Sequence, residues 1–140
     1  MRKRIHKGFT FIELMLIVAI IGILLTIAIP VYKDFTVRTK VAELIAAAGP
    51  LKSAVTEKAL QDAALAAAGV GATVTTSGKV TGGNVSDEGV ISISGDSTAT
   101  SIGTAVTIVL TPTLGAGGKV LWACSTAPAA FRIVPAECRH

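Results

Sequence analysis

The stretch "KGFTFIELMLIVAIIGILLTIAIPVY", residues 7–32, decides how the rest of the chain is read. From Leu14 to Ile29 it carries no charge, and only Gly22 and Thr26 interrupt large or aliphatic side chains. Extended back to Phe9, the run would form a helix about 32 Å long, which matches a hydrocarbon core of about 30 Å. A buried helix of a soluble core is the alternative, but such helices rarely run so far without a polar face. One residue is out of place. Glu13 sits at the edge of the apolar run, and a carboxylate there is costly unless something pairs with it.

The 140-residue chain is long enough for one domain. Its mean hydropathy of +0.65 reflects this one segment. The formal charge of +4 is just as local. Arg2, Lys3, Arg4 and Lys7 supply four positive charges in the first eight residues, and the remainder carries nine Lys and Arg against nine Asp and Glu. Basic residues ahead of a spanning run hold that end in the cytoplasm, so in a bacterium the C-terminal part lies beyond the inner membrane. A near-neutral remainder argues against a specific nucleic-acid partner. Two cysteines, Cys124 and Cys138, then face an oxidising space, where an even count points to a disulfide. Metal binding is the rival reading, but the pair lacks CxxC spacing and no histidine lies between them.

An ordinary secretory signal ends in a small-residue cleavage site after its apolar region. Here Pro30-Val31-Tyr32-Lys33-Asp34 follows instead, and the small residue lies earlier, at Gly8. A cut after Gly8 would remove the charges, keep the apolar helix and leave Phe9 as the new N-terminus. "KGFTFIELM" resembles the leader and mature start of type IV pilins and pseudopilins, with Gly8 before the cut, Phe9 after it and Glu13 at the family's glutamate. Phe11 stands where many members carry Leu. The resemblance implies cleavage and N-methylation of Phe9 by a membrane prepilin peptidase. It also implies an inner-membrane precursor and assembly on an inner-membrane platform driven by a cytoplasmic ATPase. The product would be a homo-oligomeric filament on the cell surface, serving adhesion, twitching motility or DNA uptake. A major type IVa pilin fits best, with a minor pilin or type II secretion pseudopilin as the alternative and an unrelated signal-anchored domain after that.

Beyond the apolar run, Val31, Phe35, Val41, Leu44, Ile45, Ala48, Leu51, Val55, Ala59 and Leu60 recur mostly three and four apart. That spacing predicts an amphipathic continuation, giving one helix from Phe9 to about Leu60. Pro30 and Pro50 lack the N–H that would serve Thr26 and Ala46, so each should kink it, with Gly22 and Gly49 weakening it nearby. In similar pilins the segment from Gly22 to Pro30 loses helicity on assembly, which makes Gly22, Pro30 and Pro50 candidate assembly residues.

Residues 63–89 are rich in glycine and small residues and read as a loop with one short strand. "GVISISG" (89–95), "TAVTIVLTP" (104–112) and "GKVLWACS" (118–125) alternate as strands. "AFRIVP" (130–135) reads as a weaker extended segment. The expected class is α+β: a long N-terminal helix packed through its second half on a small antiparallel sheet. The expected divisions are a leader (1–8), a membrane and filament-core half-helix (9–30), and an amphipathic half-helix with its sheet head (31–140). "WACSTAPAAFRIVPAEC" (122–138) resembles the disulfide-bounded C-terminal region of type IVa pilins.

No catalytic residues, cofactor or metal site are expected. His6 and His140 lie at the extreme ends, and no GxSxG, HExxH or phosphate-binding loop occurs. Asn84-Val85-Ser86 fits a glycosylation sequon, a match that chance supplies often. Glu13 would find its partner in the amine created at Phe9, either in cis at i and i+4 or in trans on a neighbouring subunit. Resting near the headgroups with no specific partner is its bland alternative.

Overall fold

A computed structural model describes residues 8–140. The basic cluster Arg2, Lys3, Arg4 and Lys7, together with His6, lies outside the described residues. The chain divides into two units, one ending at Phe35 and one spanning Thr36–His140.

In the first unit, helix α1 (Phe11–Ala47) begins one residue after Thr10 and carries every residue to Phe35. All residues from Gly8 to Phe35 are exposed. Pro30 sits inside unbroken helix, although it has no N–H to offer Thr26. Two members of the expected apolar stripe, Val31 and Phe35, fall in this exposed unit rather than in a core.

The second unit is the head. Here α1 continues to Ala47 and α2 (Gly49–Gln61) follows. The expected continuous helix is therefore interrupted at Ala48. Pro50 cannot serve the Ala46 carbonyl, so the turn tightens and Ala48 N bonds Ile45 O at 3.1 Å. The α-ladder resumes with Lys52 N on Ala48 O at 2.9 Å. Proline is well tolerated in the first turn of α2, where an N–H would have no partner.

Four strands follow in an antiparallel meander, β1 (Gly82–Val85), β2 (Ile91–Gly95), β3 (Val106–Gly115) and β4 (Lys119–Thr126), in that order across the sheet. The three predicted strands are present. The glycine-rich stretch does contain one short strand, β1. Strand β3 runs past Pro112, where the alternation pattern had ended it. Its pairing with β2 stops at Leu110, while β4 pairs it through Gly115. Pro112 thus has a strand on one side only, a position where a missing N–H is tolerated.

The core lies between sheet and helices. Val41, Leu44, Ala48, Val55 and Ala59 supply the helical side, and Ile91, Ile93, Val106, Ile108 and Leu110 the sheet. Period-2 alternation puts Val106, Ile108 and Leu110 on that face, with Thr107 and Thr111 opposite. Val120, Trp122 and Cys124 pack against the core half-buried. Leu60, expected in the stripe, stays exposed at the end of α2.

Residues 130–135 are not extended. Short 3₁₀ turns at Pro128–Ala130 and Ala136–Cys138 bracket turns that bury Val134. The reason is the return path: Cys138 comes back to Cys124, with Cα atoms 4.5 Å apart. A straight strand would carry Cys138 away from its partner.

The loop after α2 is fixed by close backbone contact. Gly69 N donates to Asp87 O at 2.9 Å, and a Cβ on Gly69 would collide with the Ser86 carbonyl. Gly69→Ala is therefore expected to destabilise the head by about 1–3 kcal/mol. Thermal unfolding of the detergent-solubilised chain checks this; an unchanged midpoint would show that the loop yields without cost.

Candidate assembly surface

The start of α1 is a reciprocal cap. The Thr10 Oγ1 hydroxyl accepts from Glu13 N at 3.3 Å. Glu13 Oε2 accepts from Thr10 N at 3.1 Å and from Thr10 Oγ1 at 2.8 Å. This is a capping box, with Thr at the N-cap and Glu three residues later. The signal was present in "TFIE" (10–13), but a search for a charge partner passes over a residue whose role is to satisfy backbone groups. Thr10 is accordingly the residue that sequence reasoning missed.

In this arrangement both bonds to the Glu13 carboxylate converge on Oε2. Phe9, next in sequence to the capping Thr10, is 66% exposed. Gly8 and Gly22 also face open space, with no atom within 4 Å of a Cβ placed on either. A Cβ at either position would therefore meet no packed neighbour among the described residues. Thr26 bonds back to Ile23 O at 2.7 Å, satisfying its hydroxyl within the helix before Pro30.

The head presents a different chemistry. Charged side chains beside the helical core stripe are tied to loop carbonyls: Arg38 to Arg132 O at 3.0 Å, Lys40 to Ala99 O at 3.1 Å and Lys58 to Val70 O at 2.6 Å. Lys79 holds Thr100 O at 2.8 Å, and buried Ser101 donates to Lys79 O at 2.7 Å. In the same loop Asp96 accepts from the side chain and backbone of Thr98, which holds its carboxyl below the usual aspartate range. These bonds order a Ser- and Thr-rich surface loop without creating a reactive group.

The Cys124–Cys138 disulfide joins β4 to the last 3₁₀ turn. Next to it Trp122 Nε1 donates to Thr56 Oγ1 at 3.3 Å, and the Lys52 ammonium lies 5.4 Å from the indole centroid. Sheet, α2 and C-terminal segment are thereby tied together at one point. Among the described residues no group of His, Cys, Asp and Glu is placed to hold a metal ion.

Removing the cap should loosen the helix start alone. Thr10→Val is expected to cost the first turn about 1 kcal/mol. Amide exchange at Glu13 and Leu14, followed in detergent, should rise while exchange in the head stays unchanged. Equal protection in both proteins would show that the capping box is dispensable.

Comparison with known proteins accounts for both units. Residues 3–29 match the prokaryotic N-terminal methylation motif, and residues 37–139 match the family described as pilin (bacterial filament). The chain is 39% identical to fimbrial protein EcpC of Eikenella corrodens over 149 aligned positions, covering all of this chain and 95% of that protein. It is 55% identical over 53 residues to the type IV major pilin protein PilE1 of Neisseria gonorrhoeae, covering 38% of this chain and 32% of that one. A fimbrial protein of Pseudomonas aeruginosa is 57% identical over 49 residues, covering 35% of this chain and 32% of its own. With an exposed apolar helix, a four-stranded head and matches that span both, the chain belongs to the pilin family, a structural rather than an enzymatic one.

Proposed function

We propose that the chain is the repeating structural subunit of a type IV pilus, made as an inner-membrane precursor and assembled into a surface filament. The observation that carries this is the exposure of every residue from Gly8 to Phe35 in a helix that is apolar almost throughout. Each Leu or Ile moved from water into hydrocarbon or protein gains about 1.5–3 kcal/mol, so this segment requires a bilayer or other copies of itself. The proposed sequence of events uses both. The helix anchors the precursor with its N-terminus cytoplasmic and its head periplasmic, and later joins the core of the fibre.

Processing between Gly8 and Phe9 makes the transition possible. Before the cut, the bonds to the Glu13 carboxylate among the described residues are those of its Thr10 cap. Afterwards Phe9 carries an amine, which N-methylation leaves positive. Because Thr10 engages Oε2, the other carboxylate oxygen is the one to meet a Phe9 amine on a neighbouring subunit. In low dielectric the attraction is strong, but desolvation offsets much of it. Register is the better-founded role: a mis-stacked subunit would bury an unpaired charge. Gly22, Pro30 and Pro50 are proposed to adjust the helix as subunits pack. Pro30 already leaves one carbonyl unserved in an otherwise intact helix, which lowers the cost of local unwinding.

The assembly machinery is proposed to be a prepilin peptidase, an inner-membrane platform and a cytoplasmic ATPase. Adhesion, twitching motility or DNA uptake would be activities of the finished fibre.

Fibres sheared from the source cells and sequenced from the N-terminus test this reading. The expected result is N-methyl-Phe9 as the first residue of the abundant fibre protein. A chain retained in the envelope with residues 1–8 attached would overturn it. Glu13→Val should insert and be cleaved normally yet give far fewer fibres; a wild-type yield would remove the pairing role from Glu13.

A further inference from the structure

A groove of about 590 Å³ opens in the head beside the disulfide. Ile45, Leu110, Trp122 and Pro135 give it largely apolar walls, and Lys52 and Glu137 bring one charge of each sign. The Lys52 ammonium rests on the Trp122 ring, and neither Lys52 nor Glu137 has an ion-pair partner among the described residues. This is a shape with two charges that nothing within the head complements.

A subunit that stacks head to tail touches its neighbour through two different patches, so each patch needs its complement elsewhere on the same chain. The end of α2 carries that complement. Lys58 and Asp62 stand four residues apart, bringing both charge signs to one helix face. Lys58 is held in place by the Val70 carbonyl, while the Asp62 side chain is exposed and makes no hydrogen bond among the described residues. Near them Val70 is about half exposed, and Ala63 and Ala64 are exposed as well.

We propose that the end of α2 in one subunit seats in the Trp122 groove of an adjacent copy, with Asp62 against Lys52, Lys58 against Glu137, and Ala63 and Val70 on the apolar walls. The inference rests on the filament reading and adds a second, head-level contact to it. Lys52 and Asp62 are ten residues apart, so their pairing sets an axial offset of about 15 Å between the two copies at a rise of about 1.5 Å per residue. The charge pairs select the partner and its register, and the apolar contact excludes water around them.

A charge swap tests the contact in cells that express the full chain. Lys52→Glu and Asp62→Lys each place like charges together, and each should lower the yield of sheared fibre about tenfold or more. The double variant restores opposite charges in exchanged positions and should recover most of the wild-type yield. Asp62→Lys breaks no hydrogen bond among the described residues and costs its own head only a weak i,i+4 repulsion from Lys58, so it remains informative even if Lys52→Glu weakens folding through loss of the Trp122 contact. Normal fibre yield from Asp62→Lys, or a double variant no better than its singles, would overturn the docking. Wild-type cells whose fibres lack this chain would overturn the filament reading and the docking together.

Discussion

Between Gly8 and Phe35 every residue stays exposed, and the chain buries none of this apolar segment. A helix with no polar face cannot rest in water, so it is stable only in a bilayer or among other helices. On the proposed filament reading, Glu13 is tolerable in such a helix because its environment changes during maturation. The cap bonds from Thr10 offset part of its cost from the start, and the charge that would complete the compensation belongs to an amine that cleavage creates.

The head solves a separate problem. From Val41 onward the helical surface is one-sided, and a four-stranded meander covers it. Its small core is supplemented by a disulfide, a Trp122–Lys52–Thr56 junction and several lysine-to-carbonyl bonds that fasten loops to the helices. Closing the loop between Cys124 and Cys138 is worth about 3 kcal/mol in the chain-entropy description, a sizeable part of the stability of a domain this small. Polar bonds on the outside and a covalent tether at the C-terminus allow a surface of short side chains and glycine turns to remain ordered.

Much of this was legible in the sequence because the strongest signals there are periodicities. The unbroken apolar run, the three- and four-residue spacing through Ala59 and the alternation at Val106, Ile108 and Leu110 each correspond to an element in the structure. What escaped was set by contacts that have no period. Strand β3 outruns Pro112 because its pairing with β2 stops at Leu110 while β4 pairs it through Gly115, facts about its neighbours rather than about β3. Residues 130–135 turn because Cys138 must return to Cys124, which overrides the local extended preference. Val31 and Phe35 follow the helical spacing yet stay exposed, since spacing identifies a face without identifying what covers it. The Thr10 cap was readable from "TFIE" and was obscured by attention to charge.

The central claim is that the exposed helix becomes the interior of a polymer while the head remains outside. Labelling intact fibres with a water-soluble maleimide tests it most directly, using subunits that carry a single added cysteine at Ile20 or at exposed Ser97. The account predicts labelling of Ser97→Cys and none of Ile20→Cys until the fibre is dissociated. Ready labelling of Ile20→Cys in intact fibres would contradict it.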